Sequence, residues 1–199
     1  MSKVEDTPAR PSRPAAERVR DAARELFYRQ GIHATGVEEV CRAANATKMS
    51  LYRAFPSKDA LVEAILRESC SVDEECLGGA LDPSLPPRDR PMAYITAAAE
   101  RLRIPGFRGC PLGLAVVEFP DPEHPVRQVA DAQKQAMRDK LRQLCRDAGA
   151  AEPEQLGDAL QLAIEGAFAL APSLGNDAAA RSLEHTAAAL LRAGLPPEG

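Results

Sequence analysis

Apolar residues recur along the chain at spacings of three and four positions, the pattern of amphipathic helices. In the first such segment Val19, Ala23 and Phe27 share one face, and Gly31 follows as a helix terminator. Similar stripes predict helices over about residues 14–30, 37–44, 48–54, 58–76, 89–103, 123–148, 153–171 and 177–193. The stretch LGLAVVEF, residues 112–119, is apolar almost throughout and suits a short buried helix or a strand. No strand is required, so the pattern predicts an all-α protein of about nine helices.

The spacing of these helices divides the chain into three parts. Residues 1–13, MSKVEDTPARPSR, are polar and contain two prolines, which predicts a disordered arm. This arm is either a solvated tail or a segment that touches a DNA minor groove. Residues 14–60 hold the first three predicted helices, and residues 61–199 hold most of the fourth and all of the others. We expect a small N-terminal helical domain followed by a larger helical bundle.

Composition and charge narrow the class of protein. Hydrophobic residues make up 45% of the 199 residues, enough to build a packed core and to argue against global disorder. The formal net charge of -4 is unevenly distributed. The first 60 residues hold eleven Lys or Arg and eight Asp or Glu, whereas the remainder is net acidic. This asymmetry indicates that an anionic partner would meet the N-terminal part.

The cysteines indicate a reducing compartment. There are five of them, an odd number, and no CxxC pair occurs, which argues against a disulfide framework and a zinc ribbon. The N-terminus has no apolar signal core, and no run of 18 apolar residues occurs. We therefore expect a soluble, cytoplasmic protein.

The segment from residue 37 to residue 54 predicts two short helices joined by a turn of about four residues, a helix-turn-helix. Leu51 and Phe55, four positions apart, would hold the second helix against the core. Thr47 would cap that helix. The outward side chains can donate to phosphates, and the Arg53 guanidinium can read guanine. The outward residues are Lys48, Met49, Ser50, Tyr52 and Arg53, with Lys58 at the start of the next helix.

The sequence AARELFYRQGIHATGVEEVCRAANATKMSLYRAFPSKDALVEAIL, residues 22–66, resembles the DNA-binding domain of the TetR family of transcriptional regulators. The resemblance implies a homodimer that binds double-stranded, pseudo-palindromic operator DNA. It further implies that residues 61–199 form the domain that binds an effector and dimerises. It also implies that DNA is contacted by Thr35, Thr47, Lys48, Ser50, Tyr52, Arg53 and Lys58. Met49 departs from the family pattern, and its side chain would add a contact to bases. This chain departs from the family pattern at Gly36, where Ser or Thr is usual, at Met49, where Gly is common, and at Ala54, where His or an aromatic residue is usual.

Other chemistry has little support in the sequence. The three histidines are scattered, and no GxSxG, P-loop or GxGxxG motif occurs. Asp121, Glu123 and His124 lie together in a proline-rich turn, which is a weak candidate for a metal site. We expect no enzymatic activity, no cofactor and no metal.

The resemblance implies a small-molecule effector, and the inward residues of helices four to seven would line its pocket. A largely apolar effector is expected, because ligand pockets are mostly apolar with few polar anchors. The residues expected there are Ile65, Met92, Ile95, Ala99, Arg103, Phe107, Cys110, Leu114, Val117, Phe119, Met137 and Leu141. Repression released by this ligand is the leading hypothesis, with activation left open. The alternative is a thiol-based redox sensor, in which Arg103 and Arg108 would lower the pKa of Cys110.

Helix eight, LGDALQLAIEGAFALA, is apolar nearly all round, so it has to be covered on every side. Its Gly and Ala residues would let a partner helix approach closely. With helix nine it predicts a four-helix dimer interface about a two-fold axis, although an internal core helix is the alternative. The expected interface residues are Leu160, Ala163, Ile164, Ala167, Phe168, Leu183, Ala187 and Leu190.

Overall fold

The computed structural model describes residues 13–79, 82 and 84–197, without the side chains of residues 70–79. This part of the chain contains nine helices and no strand, which confirms the all-α prediction. The helices are α1 (Ala15–Gln30), α2 (Val37–Ala43), α3 (Lys48–Ala54), α4 (Lys58–Gly79), α5 (Arg90–Arg103), α6 (Pro111–Glu118), α7 (Pro125–Asp147), α8 (Pro153–Leu174) and α9 (Asn176–Gly194). Nearly all of the predicted arm lies outside the described residues.

The chain divides into two compact units, the first ending at Leu61 and the second beginning at Val62, within α4. In the first unit, α1 packs against both α2 and α3, and α2 packs against α3. Val19, Val40 and Leu51 supply one fully buried side chain from each of these helices. Cys41 is buried as well and belongs to the core. The three helices thus share one small apolar core.

The second unit is a bundle in which α8 packs against α7 and α9, and α9 also packs against α5. At the α7–α8 contact, a Cβ added to Gly157 would lie 2.7 Å from the backbone of Arg142, so only glycine fits there. Arg142 Nε also donates to Asp158 Oδ1 at 2.7 Å, and Arg138 Nε donates to the same oxygen at 2.8 Å. Close backbone approach and a shared carboxylate therefore fix α7 against α8.

Segment 111–118 is a helix, which resolves the choice between helix and strand that the sequence left open. One face of α6, with Leu112 and Ala115, is buried. Leu114 and Val117 are 37% and 80% exposed, so the prediction that these two residues point inward is wrong. An eight-residue helix that is apolar on all faces carries no polar stripe to show which face is outward.

A helix that spans a membrane has to be long and predominantly apolar, and the described helices differ from such spans. None of them is long and apolar enough to cross a bilayer.

Candidate nucleic-acid interface

The turn between α2 and α3 has the geometry of a tight helix-helix connection. Asn45 adopts a left-handed conformation with φ of 47°, which asparagine tolerates better than most residues. The Ala46 N–H donates to the Cys41 carbonyl at 2.9 Å, which closes the turn. Helix α3 then begins at Lys48, with Thr47 as its cap. Thr47 Oγ1 accepts from the Ser50 N–H at 3.1 Å, and the two hydroxyls are 2.9 Å apart.

Helix α3 has one buried face and one exposed face. Leu51 is fully buried and Phe55, just past the helix end, is partly buried, so they hold α3 on the core of the first unit. On the opposite side Met49 is 72% exposed and Tyr52 is 47% exposed. Lys48 and Arg53 are exposed as well, and Ser50 is half-buried. The structure therefore brings five of the predicted DNA-contacting residues onto one short helix.

Arg18 of α1 connects this helix-turn-helix to the rest of the unit. Its Nε donates to the Ala44 carbonyl and its Nη2 to the Asn45 carbonyl, both at 3.0 Å. Its Nη1 donates to the Arg13 carbonyl at 2.6 Å. These bonds tie the turn, and so the start of α3, to α1. Sequence reasoning missed Arg18, because its partners lie 26 and 27 positions away and no local pattern indicates such pairing.

Thr35 has a different position from the one expected. Its side chain is fully buried and its Oγ1 donates to the Gly31 carbonyl at 2.8 Å. A hydroxyl that is shielded in this way stabilises the α1–α2 connection and does not reach a phosphate. The expectation that Thr35 contacts DNA is therefore corrected.

Lys58 begins α4 and is partly buried. Its Nζ lies 5.8 Å from the centre of the Phe27 ring, a cation–π distance, which directs the long side chain along the first unit. Ser57 Oγ accepts from the Ala60 N–H at 3.0 Å, so Ser57 caps this helix. The contact with Phe27 limits the positions from which the Lys58 ammonium could reach a phosphate.

Lys48 is paired with a carboxylate that sequence reasoning did not identify. Its Nζ donates to Glu38 Oε1 in the first turn of α2. The hydrogen bond to Lys48 lowers the pKa of Glu38, and the same bond raises the pKa of Lys48. A signal was present in the sequence, since a Glu in the first turn of α2 precedes a Lys in the first turn of α3. The fold is needed to show that the two meet.

The residues predicted for the effector pocket lie in the second unit and differ in how deeply they are buried. Ile65, Ile95, Ala99, Cys110, Phe119 and Leu141 are buried, whereas Met92, Phe107 and Met137 are half-buried. The Phe107 ring meets the Phe168 ring edge-on, with centroids 5.1 Å apart. Arg103, expected as a polar anchor, donates to Glu184 of α9 at 3.0 and 3.1 Å and to Glu100 at 2.8 Å. Its charge is therefore already balanced by carboxylates of the protein.

Cys110 is buried, and its Sγ accepts from Lys134 Nζ at 3.4 Å. Lys134 also pairs with Glu165 of α8. In the same unit, burial raises the pKa of the Cys145 thiol to about 11, which disfavours its thiolate. Cysteines that react with oxidants are partly exposed thiolates, and these thiols are not exposed.

The dimer-interface prediction requires a correction. Leu160, Ile164, Phe168, Leu183 and Ala187 are all buried within the single chain, so they form its core and have no surface left for a partner. Ala163, Ala167 and Leu190 are half-buried. The exposed large hydrophobic residues of α8 are instead Leu162, Leu170 and Leu174. Helix α8 thus combines the two alternatives, with a core face and an exposed apolar face.

Comparisons with known proteins agree with this arrangement. The family profile for bacterial regulatory proteins of the tetR family matches residues 19–65. The HTH-type transcriptional regulator YjdC of Escherichia coli is 29% identical over 151 residues, which are 75% of this chain and 79% of YjdC.

Two solved structures are similar over nearly the whole chain. SCO4454, a TetR-family transcriptional regulator from Streptomyces coelicolor, superposes with a TM-score of 0.88 at 29% identity, covering 91% of this chain and 96% of SCO4454. The protein sav143 from Streptomyces avermitilis, assigned to the TetR transcriptional regulators, superposes with a TM-score of 0.76. It is 31% identical, and the match covers 90% of this chain and 97% of that protein. The chain is therefore a member of the TetR family, a DNA-binding transcriptional regulator with an N-terminal helix-turn-helix.

Proposed function

We propose that the protein is a homodimeric repressor that leaves its operator when a small, largely apolar ligand binds to the second unit. The observation that supports DNA recognition is the exposed face of α3. Lys48, Met49, Tyr52 and Arg53 are exposed there, while the buried Leu51 holds the helix on the core. A helix of this kind fits the major groove of B-DNA. Because the partner is operator DNA, we place the protein in the cytoplasm.

Within this face, we assign base reading to Arg53 and backbone contact to Tyr52. The guanidinium has the fork geometry that matches guanine O6 and N7, and one such pair discriminates by about 1–3 kcal/mol. A tyrosine hydroxyl donates one bond to a phosphate, which fixes register without reading sequence. Lys58 would contribute a further phosphate contact, and Thr47 and Ser50 would contribute hydroxyls.

The matched test is selection of binding sites from random DNA with the wild type, Arg53→Ala and Tyr52→Phe. Arg53→Ala should relax the preference at one position of each half-site. Tyr52→Phe should bind more weakly with an unchanged preferred sequence. An identical preferred sequence for Arg53→Ala would contradict the base-reading role.

The dimer contact would use the exposed face of α8 and the adjacent outer face of α9. On α8, Leu162 is 74% exposed and Leu170 is also exposed, while Gly166 has open space around its Cα. On α9, Ser182 and Ala189 are exposed and Ala178 is half-buried, and all three are small and uncharged. Small residues allow helices of a second copy to approach closely. The two reading helices would then address half-sites about 34–36 Å apart, or a multiple of this distance.

Light scattering tests this contact with two glutamate variants. Leu162→Glu places an unpaired charge in the proposed interface and should give a monomer. Val117→Glu is the matched control, since Val117 is equally exposed but lies on α6, and it should remain a dimer. A dimer of Leu162→Glu at micromolar concentration would contradict the assignment.

Ligand response is supported by the family and by the apolar character of the bundle, where Ile95, Ala99 and Leu141 are buried together with half-buried Met92 and Met137. Regulation by a ligand requires that it bind the two states of the protein with different affinities. By linkage, operator DNA must weaken ligand binding by the same factor that the ligand weakens DNA binding. Titrating a hit compound with and without operator measures both factors. Equal affinities would leave a constitutive DNA binder.

The redox-sensor alternative is not favoured, because Cys110 is buried and its sulfur is engaged by Lys134. The two mechanisms are separated by Cys110→Ser. A ligand-responsive repressor keeps its response in this variant, whereas a redox sensor loses it.

A further inference from the structure

An ion pair joins the first turns of α2 and α3 beside the exposed residues of the recognition helix. Glu38 Oε1 accepts a hydrogen bond from Lys48 Nζ, ten positions further along the chain. Both side chains are more than half exposed, so burial does not lock either of them in place. The pair lowers the pKa of Glu38 and raises the pKa of Lys48, so each partner favours the charged form of the other. The recognition helix therefore begins with a cation that the protein itself neutralises.

The neighbouring carboxylate has a different partner. Glu39 Oε1 accepts from Gln30 Nε2 of α1 at 3.2 Å. Glu38 and Glu39 are adjacent in the same helical turn and carry the same charge, but only Glu38 is bonded to α3. Variants of Glu38 and Glu39 can therefore be compared. An effect that acts through Lys48 should appear only for Glu38, whereas a general effect of negative charge near DNA should appear for both.

We propose that Glu38 is a positioning residue that acts through Lys48 and weakens the binding of the protein to DNA of any sequence. The inference rests on the proposed function, in which the exposed face of α3 meets DNA. In the free protein the carboxylate holds the Lys48 ammonium, so a phosphate has to compete for it. In the complex the Lys48 ammonium has to leave the Glu38 carboxylate before it can pair fully with a phosphate, so Glu38 affects DNA binding through Lys48.

The size of the effect follows from the charges. A lysine that neutralises one phosphate contributes about -0.9 to the slope of log affinity against log salt concentration. A Glu–Lys pair has no net charge, so Lys48 contributes much less than this while Glu38 is ionised. Removing the carboxylate charge should steepen the slope by up to about 0.9. At low salt, the attraction between the Lys48 ammonium and a phosphate about 5 Å away in water corresponds to roughly a fourfold change in affinity. The Glu38 carboxylate offsets this attraction while it is paired with Lys48.

The experiment measures affinity by fluorescence anisotropy over a range of KCl concentrations, on the selected operator and on a duplex of scrambled sequence. The proteins are the full-length wild type, Glu38→Gln, Glu38→Asp, Glu39→Gln, Lys48→Gln and the double variant Glu38→Gln/Lys48→Gln. Circular dichroism verifies that each is folded. Glu38→Asp keeps the charge and serves as the conservative variant.

We expect Glu38→Gln to bind both duplexes about fourfold more tightly at low salt, with a slope steeper by up to about 0.9. Glu38→Asp should keep the wild-type slope, and Glu39→Gln should change affinity by less than half as much. In the Lys48→Gln background, Glu38→Gln should have little effect. Equal effects of Glu38→Gln and Glu39→Gln, or a full effect without Lys48, would overturn the inference.

The failure of this inference differs from failure of the proposed function. A wild type without salt-dependent DNA binding would contradict the proposed function itself. Wild-type binding that depends on Arg53 but does not respond to Glu38→Gln would overturn the role of Glu38 alone.

Discussion

The cap of α3 at Thr47 is a single hydrogen bond, and its loss should reduce both the stability of the protein and its affinity for DNA. Replacing Thr47 with valine keeps the shape of the side chain and removes the oxygen that accepts from the Ser50 N–H at 3.1 Å. Loss of such a cap costs about 0.5–2 kcal/mol. Thr47 is exposed, so water can reach the freed N–H, and we expect a loss of about 1 kcal/mol in the free energy of unfolding.

The effect on DNA binding should be at least as large, because α3 is only seven residues long. Isolated helices shorter than about 12–15 residues are marginal in water, so α3 depends on its cap and on the burial of Leu51. If the loss of about 1 kcal/mol falls on ordering α3, operator affinity drops about fivefold. Loss of a phosphate contact by the same hydroxyl would add to this. Thr47→Ser keeps the hydroxyl and is the matched control.

Urea unfolding followed by far-UV circular dichroism measures the stability change, since the chain has no Trp for fluorescence. The protomer concentration has to be the same for all variants, because dimerisation contributes to apparent stability. Fluorescence anisotropy on the selected operator measures the binding change. Thr47→Val with wild-type stability and wild-type affinity would refute the role of the cap, as would an equal loss in Thr47→Ser.

Three further outcomes concern the stability and chemistry of the second unit. Gly157→Ala should destabilise the protein by about 1 kcal/mol, because overpacking of about 1–3 kcal/mol outweighs a helix-propensity gain of about 1 kcal/mol. Gly113→Ala, whose Cβ would lie 3.7 Å from the nearest atom, should be neutral or stabilising in the same urea titration. Asp158 has its pKa lowered by hydrogen bonds from Arg138 and Arg142, so its contribution is present at neutral pH and is lost as pH falls below its usual value. Asp158→Asn should therefore be less stable than wild type at neutral pH, with a smaller difference in acid. Cys110→Ser should leave DNA release by a ligand unchanged, and loss of that response would favour redox sensing.

The recognition helix is an element that the sequence predicts to the residue. Its cap at Thr47, the buried Leu51 and the stop at Pro56 are all local signals, and the observed bounds are Lys48–Ala54. The longer helices also match their periodicity closely. Helix α8 continues past its predicted end near Ala171 to Leu174, with Pro172 inside its last turn. Pro172 lacks the N–H that would continue the helical hydrogen bonding, yet the helix continues for two residues beyond it.

The orientation of apolar helices is what the sequence does not determine. Helices α6 and α8 are apolar on most faces, so their pattern does not distinguish a core residue from an exposed one. Leu114 and Val117 were expected inside and lie outside, while Leu160 and Ile164 were expected at an interface and lie in the core. Packing against neighbouring helices decides which face is buried, and these neighbours are distant in the sequence.

Long-range polar pairs escaped prediction for a related reason. Arg18 bonds carbonyls 26 and 27 positions away, and Lys48 bonds Glu38 ten positions away. Neither pair follows the spacing of three or four residues that marks neighbours on one helix. Thr35 illustrates the converse, since the family resemblance suggested a DNA contact and the fold buries the side chain.

The central claim is that the exposed face of α3 reads a specific, two-fold related DNA sequence. The most direct measurement is selection of genomic DNA fragments by the purified wild-type protein, followed by sequencing of the bound fraction. The account predicts enrichment of a pseudo-palindrome whose half-sites lie about one helical turn, or a multiple of it, apart. It also predicts that Arg53→Ala retains salt-dependent binding and selects a pseudo-palindrome in which one position of each half-site has lost its base preference. Recovery of fragments without a shared sequence, or the same enrichment with Arg53→Ala, would contradict the claim.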